Sequence, residues 1–341
     1  MVGHDKVILV TGVAGFIASH VARMLVINYP NYKIIGLDKL CYCASKNNMR
    51  DYEGYDNFEF IKGNILDESL VFHILSNCGV THIMHFAAQT HVDNSFGNAL
   101  TFTENNTKGT HVLLECSVKY GKLSCFLHVS TDEVYGLSID KDESSDENAA
   151  LIPTNPYSAS KLAAECMVQA YGTSYNLPYI ITRGNNVYGP GQFPEKLIPK
   201  SIILLSEGGK VPIHGTGNNK RTYLYIDDVV SAFDVILHNG EKSGIYNISG
   251  DIEYRNNDIV ETLQKMLRGE DNFYDCVEYV SDRKFNDIRY NTQSDALKKI
   301  GWKGVQVDID IGLERTKDWY IANYKDWWPN ELTKALQPHS D

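Results

Sequence analysis

Short apolar runs alternate with longer stretches of helical periodicity through the first half of the chain. Residues 7–11 read as a strand, a glycine-rich turn follows, and 17–27 carry apolar positions at helical spacing. Further strands are predicted over 32–37, 58–62, 82–86, 125–130 and 179–182. Helical patterns fall over 69–76, 99–120 and 158–175. This βαβα order predicts an α/β fold, a Rossmann-type doubly wound parallel sheet with helices on both faces. After Arg183 the texture changes: Gly and Pro cluster at Gly189-Pro190-Gly191, Gly208-Gly209 and Gly215-Thr216-Gly217, with short strands and irregular helices expected between them. The expected division is a dinucleotide-binding domain over 1–185 plus about 222–247, a smaller mixed α/β substrate-binding region over 186–221 plus 248–328, and a polar tail over 329–341.

Composition narrows the function. The chain has 341 residues, 43% of them apolar and 22% charged, ordinary values for a globular protein with a full core. Its net charge of -11, with no basic block, argues against binding nucleic acid through phosphates. No apolar run is long enough to span a membrane, and the N-terminal apolar run is too short for a signal peptide. Val2 does not fit a myristoylation pattern. Seven scattered cysteines read as free thiols in a reducing compartment, so a cytoplasmic protein is expected. His82 and His85 are three apart on a strand and point to opposite faces, so no metal site is expected. Trp319, Trp327 and Trp328 read as packing residues, and Asn105-Asn106-Thr107 as a glycosylation pattern of no consequence in a cytosolic chain.

Two constellations carry chemistry. The first is Gly12-Val13-Ala14-Gly15-Phe16-Ile17-Ala18 between a strand and a helix, with Asp38 ending the next strand. Gly12 permits the tight turn, Gly15 lets a pyrophosphate approach the helix N-terminus, and Ala18 allows close helix packing. A carboxylate at Asp38 accepts from a ribose diol and repels a 2′-phosphate, so NAD is expected rather than NADP. The second is Tyr157-Ser158-Ala159-Ser160-Lys161, which puts Tyr157 and Lys161 one helical turn apart. An ammonium there is expected to lower the phenol pKa, so that the phenolate takes a hydroxyl proton as hydride leaves the same carbon. Upstream, Thr131-Asp132-Glu133 places two carboxylates at the carboxyl end of a strand, where ligands sit in a parallel sheet.

These motifs resemble the extended short-chain dehydrogenase/reductase family, and within it the nucleotide-sugar 4,6-dehydratases. The resemblance covers about 5–328 and includes Phe86-Ala87-Ala88-Gln89-Thr90-His91-Val92-Asp93, Asn186-Val187-Tyr188-Gly189-Pro190, Pro194-Glu195-Lys196-Leu197-Ile198-Pro199, the Arg221 segment and Asp282-Arg283. The Asp-Glu pair separates it from sister epimerases and decarboxylases on the same fold. The resemblance implies that Tyr157, with Lys161 and Thr131, helps oxidise C4 of a nucleotide-bound glucose, that Glu133 removes the C5 proton, and that protonated Asp132 donates to the departing O6. It implies NAD contacts from Gly12, Gly15, Phe16, Ile17, Asp38, Asn64, Ile65, Ala87, Ala88, Thr90, Asn105, Tyr157 and Lys161. It implies substrate contacts from Thr90, Thr131, Asn186, Lys196, Leu197, Pro212, His214, Arg221, Arg283 and Asn286. Asn64 stands where the family usually has Asp, and Ile252 where many bacterial members have a substrate-binding Asn. The segment around Phe285-Asn286 resembles the dehydratase part of UDP-rhamnose synthases, which points to UDP-glucose over dTDP-glucose. A homodimer formed through 99–120 and 158–175 is implied. The chain stops soon after the resemblance ends, so release of the keto sugar to separate epimerase and reductase proteins is expected. A non-catalytic NAD-binding regulator is the rival from another class, and the intact Tyr157, Lys161, Asp132 and Glu133 speak against it.

Overall fold

The computed structural model describes residues 4–137, 144–269, 272–282, 289, 291–329 and 331–337. Among the described residues twelve strands follow in chain order: β1 (Lys6–Thr11), β2 (Tyr32–Asp38), β3 (Phe58–Lys62), β4 (His82–His85), β5 (Cys125–Thr131), β6 (Tyr179–Gly184), β7 (Asn186–Tyr188), β8 (Val211–His214), β9 (Lys220–Tyr225), β10 (Gly244–Ile248), β11 (Glu253–Arg255) and β12 (Val277–Val280). Seven of them form one sheet in the order β10-β6-β5-β4-β1-β2-β3. Every pairing in it is parallel. The strand order reverses between β1 and β4, which opens a crevice at their carboxyl ends.

Alternation along β1 explains why both faces are covered. Ile8 and Val10 point into a core with the helices Phe16–Asn28 and Ile226–Asn239. Leu9 points the other way, into a core with the helices Glu68–Cys78, Gly109–Tyr120 and Pro156–Tyr175. The helical pattern over 99–120 is one continuous rod in which Thr103–Lys108 widens into a π turn. The wider turn brings Asn105 and Asn106 inward, where both are buried.

Past Gly184 the chain builds a three-stranded sheet, β11-β9-β7, and a parallel pair, β12-β8. The helices here are more regular than the Gly/Pro texture suggests: Leu197–Ser206, Asn256–Arg268 and Ile309–Trp327 run for 10, 13 and 19 residues. Pro199 lies in the first turn of its helix, where a missing N–H breaks no bond. Trp327 and Trp328 are buried in a third core with Trp319 packed against it, as packing residues should be. The segment expected to be a loose tail contains a helix, Leu332–Leu336, with Ala335 buried, and Lys200 Nζ donates to the Gln337 carbonyl at 3.1 Å.

Candidate active site

A cavity of about 480 Å³ runs from the β1–β4 crevice to the surface of β8 and β9. At its inner end Gly12 has φ +74°, and its N–H donates to the Leu37 carbonyl at 2.8 Å. A Cβ at Gly12 would lie 2.9 Å from the Ala87 Cα and N, so the strand ends of β1 and β4 meet only around glycine. The helix Phe16–Asn28 begins at Gly15, whose lack of a side chain leaves the first turn with no side-chain cap. The first amides of a helix have no partner within it, and here Gly12, Gly15, Phe16 and Ile17 line the cavity. Asp38 closes the turn: one carboxylate oxygen accepts from the Ala14 N–H at 3.0 Å and the other from the Leu40 N–H at 2.6 Å. Burial pushes the Asp38 carboxyl up, and the two amide bonds oppose that rise.

Asn64, Ile65, Ala87, Ala88 and Asn105 all line the same end. Asn64 Oδ1 is engaged by the Leu66 N–H at 3.1 Å. The Ala87 N–H donates to Thr11 Oγ1 at 3.2 Å, and Thr11 in turn bonds His85 Nδ1 at 2.7 Å. His85 is therefore a buried imidazole held between Thr11 and Thr110, with burial lowering its pKa to about 3. Asn105 accepts from Lys39 Nζ and donates to the Thr101 carbonyl. Its neighbour Asn106 bonds Gln89 on both its N–H and C=O and donates to Ser160 Oγ at 2.9 Å. The π turn thus ties the loop after β4 to the helix that carries Tyr157. Ser130 Oγ and Thr182 Oγ1 are buried at the cavity wall with no protein partner among the described residues. Unpaired hydroxyls, an uncapped helix start and a glycine turn that a Cβ would fill together fit a bound dinucleotide.

The acid–base groups gather where β5 ends. Asn155 caps the helix Pro156–Tyr175 by accepting from the Ser158 N–H at 2.8 Å, with Pro156 in the first position. The other end of the same amide donates to Glu133 Oε2 at 3.0 Å. Tyr157 and Lys161 both lie on this helix and are buried. Lys161 Nζ donates to the Val129 carbonyl at 2.7 Å, and burial lowers its pKa to about 8 against the opposing charge of Glu165. The expectation that Lys161 lowers the phenol is not met in the protein by itself. Burial, and then the Glu133 carboxylate, hold Tyr157 well above its ordinary value, and only contact with the Thr131 hydroxyl works the other way.

Asp132 is buried, and its carboxyl is pushed up to about 7 by burial first and by the Glu133 charge second. Asn185 Nδ2 donates to Asp132 Oδ2 at 2.6 Å, and Thr131 Oγ1 to Oδ1 at 3.2 Å. The two adjacent carboxylates therefore occupy different surroundings: one buried and held near neutrality, the other partly exposed and fixed by an amide. Neither Asn155 nor Asn185 was picked out from the sequence. Asn155-Pro156 carried a helix-cap signal, whereas Asn185 had only its place after a strand end.

Toward the surface, Asn186, Lys196, Leu197, Pro212, His214 and Arg221 line the cavity. Thr90 lines it too, and its carbonyl accepts from Lys196 Nζ at 3.1 Å. His214 Nδ1 bonds the Ser281 carbonyl at 3.2 Å. The positive charge of Arg221 reaches Asp132 and offsets part of its rise. Arg283 and Asn286 lie outside the described residues.

A doubly wound sheet whose crevice joins a dinucleotide cradle to a Tyr/Lys pair defines an extended short-chain dehydrogenase/reductase. The GDP-mannose 4,6 dehydratase family model matches residues 9–315, and the chain belongs to that family of nucleotide-sugar dehydratases. It is 51% identical over 336 residues to an Arabidopsis thaliana trifunctional UDP-glucose 4,6-dehydratase/UDP-4-keto-6-deoxy-D-glucose 3,5-epimerase/UDP-4-keto-L-rhamnose-reductase, covering 98% of this chain and 49% of that protein. The chain thus spans about half the length of these plant relatives. It is 45% identical to the dTDP-D-glucose 4,6-dehydratase of Mus musculus, covering 98% of this chain and 93% of that protein. Among solved structures, the dTDP-glucose 4,6-dehydratase of Streptomyces venezuelae with NAD bound matches with a TM-score of 0.90 at 38% identity, over 95% of this chain and 99% of that one.

Proposed function

We propose that the protein is an NAD-dependent UDP-glucose 4,6-dehydratase, converting UDP-glucose to UDP-4-keto-6-deoxyglucose. The observation that carries this reading is Asp132, a buried carboxyl raised to about 7 beside a second carboxylate held by Asn155. Eliminating water needs a proton donor and a proton acceptor at once, and two carboxyls in different surroundings provide them. When bound, NAD would be held by the Gly12 turn, Gly15 and Asp38 and would supply the hydride chemistry at C4 and C6. Tyr157 takes the O4 proton, with Thr131 orienting the hydroxyl. Glu133 removes the C5 proton, which the new ketone has made acidic, and later returns it to C5. Asp132 protonates O6 so that water rather than hydroxide leaves. The Asp38 carboxylate favours a ribose diol over a 2′-phosphate, which supports NAD over NADP.

Toward the surface, Arg221 and Lys196 supply cations for a diphosphate, and Pro212 and His214 line the wall for a base. The choice of UDP over dTDP is supported by 51% identity to the plant UDP-glucose enzymes against 45% to the mouse dTDP-glucose enzyme. The names of those plant relatives support a 3,5-epimerase and a reductase as consumers of the product. Leu100 is 83% exposed and Tyr175 57% exposed, each on a helix expected to pair in a homodimer. No helix among the described residues is long and apolar enough to cross a membrane, and cytoplasmic residence is part of the same proposal. The test is incubation with UDP-glucose or dTDP-glucose and detection of the alkali-generated absorbance of a 4-keto sugar. The expected result is product from both or from UDP-glucose alone, with the higher kcat/KM for UDP-glucose. A higher value for dTDP-glucose overturns the nucleotide choice, and no keto sugar from either overturns the chemistry.

A further inference from the structure

Ala14 is buried in the middle of the dinucleotide turn, and its carbonyl takes two hydrogen bonds from a segment that follows β2. The Ser45 N–H donates to it at 3.0 Å and Asn48 Nδ2 at 2.9 Å. A carbonyl oxygen has two lone pairs, and both are engaged here. The peptide between Ala14 and Gly15 is planar, so fixing its carbonyl fixes its N–H as well. That N–H, of Gly15, closes the turn on the Gly12 carbonyl at 2.9 Å. On the other side of Ala14, its own N–H is held by Asp38. Asn48 is therefore one of the restraints on the shape of the turn.

The group that orients Asn48 lies 279 positions away: Trp327 Nε1 donates to Asn48 Oδ1 at 2.7 Å. An indole N–H can only donate, so it holds the carbonyl end of the amide and leaves the NH2 end to Ala14. The same segment grips Trp327 twice more. Ser45 Oγ donates to the Trp327 carbonyl at 3.1 Å, and the Arg50 guanidinium lies 4.4 Å from the centre of the Trp327 ring. Trp327 ends the helix Ile309–Trp327, which shares the third core with Ile198 and Ile202 of the helix Leu197–Ser206. Neither Asn48 nor Trp327 lines the cavity. We infer that Asn48 is a positioning residue for the cofactor, aimed by the Trp327 indole, so that the end of the helix Ile309–Trp327 sets how firmly the dinucleotide turn keeps NAD. Without the indole N–H the amide is free to turn over and set its oxygen against the Ala14 carbonyl, where two acceptors repel. The inference rests on NAD binding and not on the nucleotide of the sugar.

Asn48→Leu removes both bonds of the amide at nearly constant volume. Trp327→Phe removes the indole N–H and keeps an aromatic ring. Each variant, and the double variant, is loaded with labelled NAD, chased with unlabelled NAD and sampled for retained label. Each single variant should exchange NAD about 3- to 10-fold faster than the unmodified protein, the factor expected for one lost hydrogen bond. The double variant should exchange no more than about twice as fast as the quicker single one, because both changes break the same chain. Keto-sugar formation is read in parallel with UDP-glucose or dTDP-glucose, whichever is turned over faster. In each variant kcat at saturating NAD should stay at the unmodified value, while the NAD concentration that gives half of it rises. Unchanged exchange in Asn48→Leu overturns the inference. So does a double variant in which the two effects multiply, since the residues then act separately. A kcat at saturating NAD that falls as far as NAD affinity does also overturns it, and makes the contact a general support of the fold. If Trp327→Phe does not fold, Asn48→Leu and Asn48→Ala decide by exchange and kcat alone.

Discussion

At the dinucleotide end of the cavity the ligand-facing groups are mostly backbone: the Gly12 turn, the amides that start the helix Phe16–Asn28, and the loop at Ala87 and Ala88. At the sugar end they are side chains from separate segments: Thr131, Asp132 and Glu133 after β5, Tyr157 and Lys161 on a helix, Asn185 after β6, and Arg221 on β9. The first end is fixed by a glycine conformation and by the close approach of Gly12 to Ala87. The second is tuned, because each carboxyl's charge depends on what its neighbours donate. A backbone site fails when a Cβ is added, whereas a side-chain site fails by degrees, group by group. That contrast can be broken or sharpened by substitution.

The largest effect is expected from Tyr157→Phe, which removes the proposed proton acceptor for C4 oxidation and keeps the ring. Turnover should fall by about 10²–10⁴ or more, while NAD content after purification is unchanged. Unaltered turnover would remove the phenol from the chemistry.

Asp132→Asn and Glu133→Gln act one step later. Both should slow keto-sugar formation by about 10²–10⁴ while sparing hydride removal from C4. With UDP-glucose each variant should therefore accumulate the absorbance of enzyme-bound reduced nicotinamide. Oxidation abolished along with elimination would mean that the pair positions C4 instead.

At the other end, Gly12→Ala should leave the acid–base residues in place and lose the cofactor. A left-handed conformation costs a non-glycine residue about 1–2 kcal/mol, before the clash with Ala87 is counted. NAD retention should drop by roughly 10-fold or more, and the thermal midpoint should fall. Full retention of NAD would show that the contact of Gly12 with Ala87 yields more readily than its 2.9 Å approach implies.

The same contrast governs what could be read from the chain alone. The β1 turn was legible because glycine spacing, a strand before it and a helix after it are local facts. So was the Tyr157/Lys161 pair, since one helical turn sets it. The strands 58–62 and 125–130 fell within a residue of β3 and β5 for the same reason. Less was legible where partners come from afar. Asn185 meets Asp132 across 53 positions, and no local pattern marks it. The phenol's direction was misjudged because i,i+4 spacing reports proximity and not burial. The Gly/Pro-rich texture after Arg183 concealed three regular helices, because tertiary packing, not propensity, sets them.

Asn185 supplies the smallest and sharpest test of a tuned site. Its amide donates to Asp132 Oδ2 at 2.6 Å, and a donated hydrogen bond favours the charged carboxylate. It therefore pulls the Asp132 pKa down against burial, and the value of about 7 is the result of that opposition. In the proposed reaction Asp132 is the proton donor, so kcat should be high below this pKa and fall as pH rises through it. Asn185→Leu removes the donor at nearly constant volume. The neutral acid is then favoured further, and the alkaline limb of the kcat profile should move to higher pH. A hydrogen bond to a charged group is worth about 1.5–3 kcal/mol, which corresponds to a shift of about one to two pH units. Asn185 also donates to Thr292 Oγ1 at 3.2 Å, so Thr292→Val should lose that bond and leave the limb where it was. A limb that moves to lower pH in Asn185→Leu, or does not move at all, would mean that the alkaline limb reports a group other than Asp132.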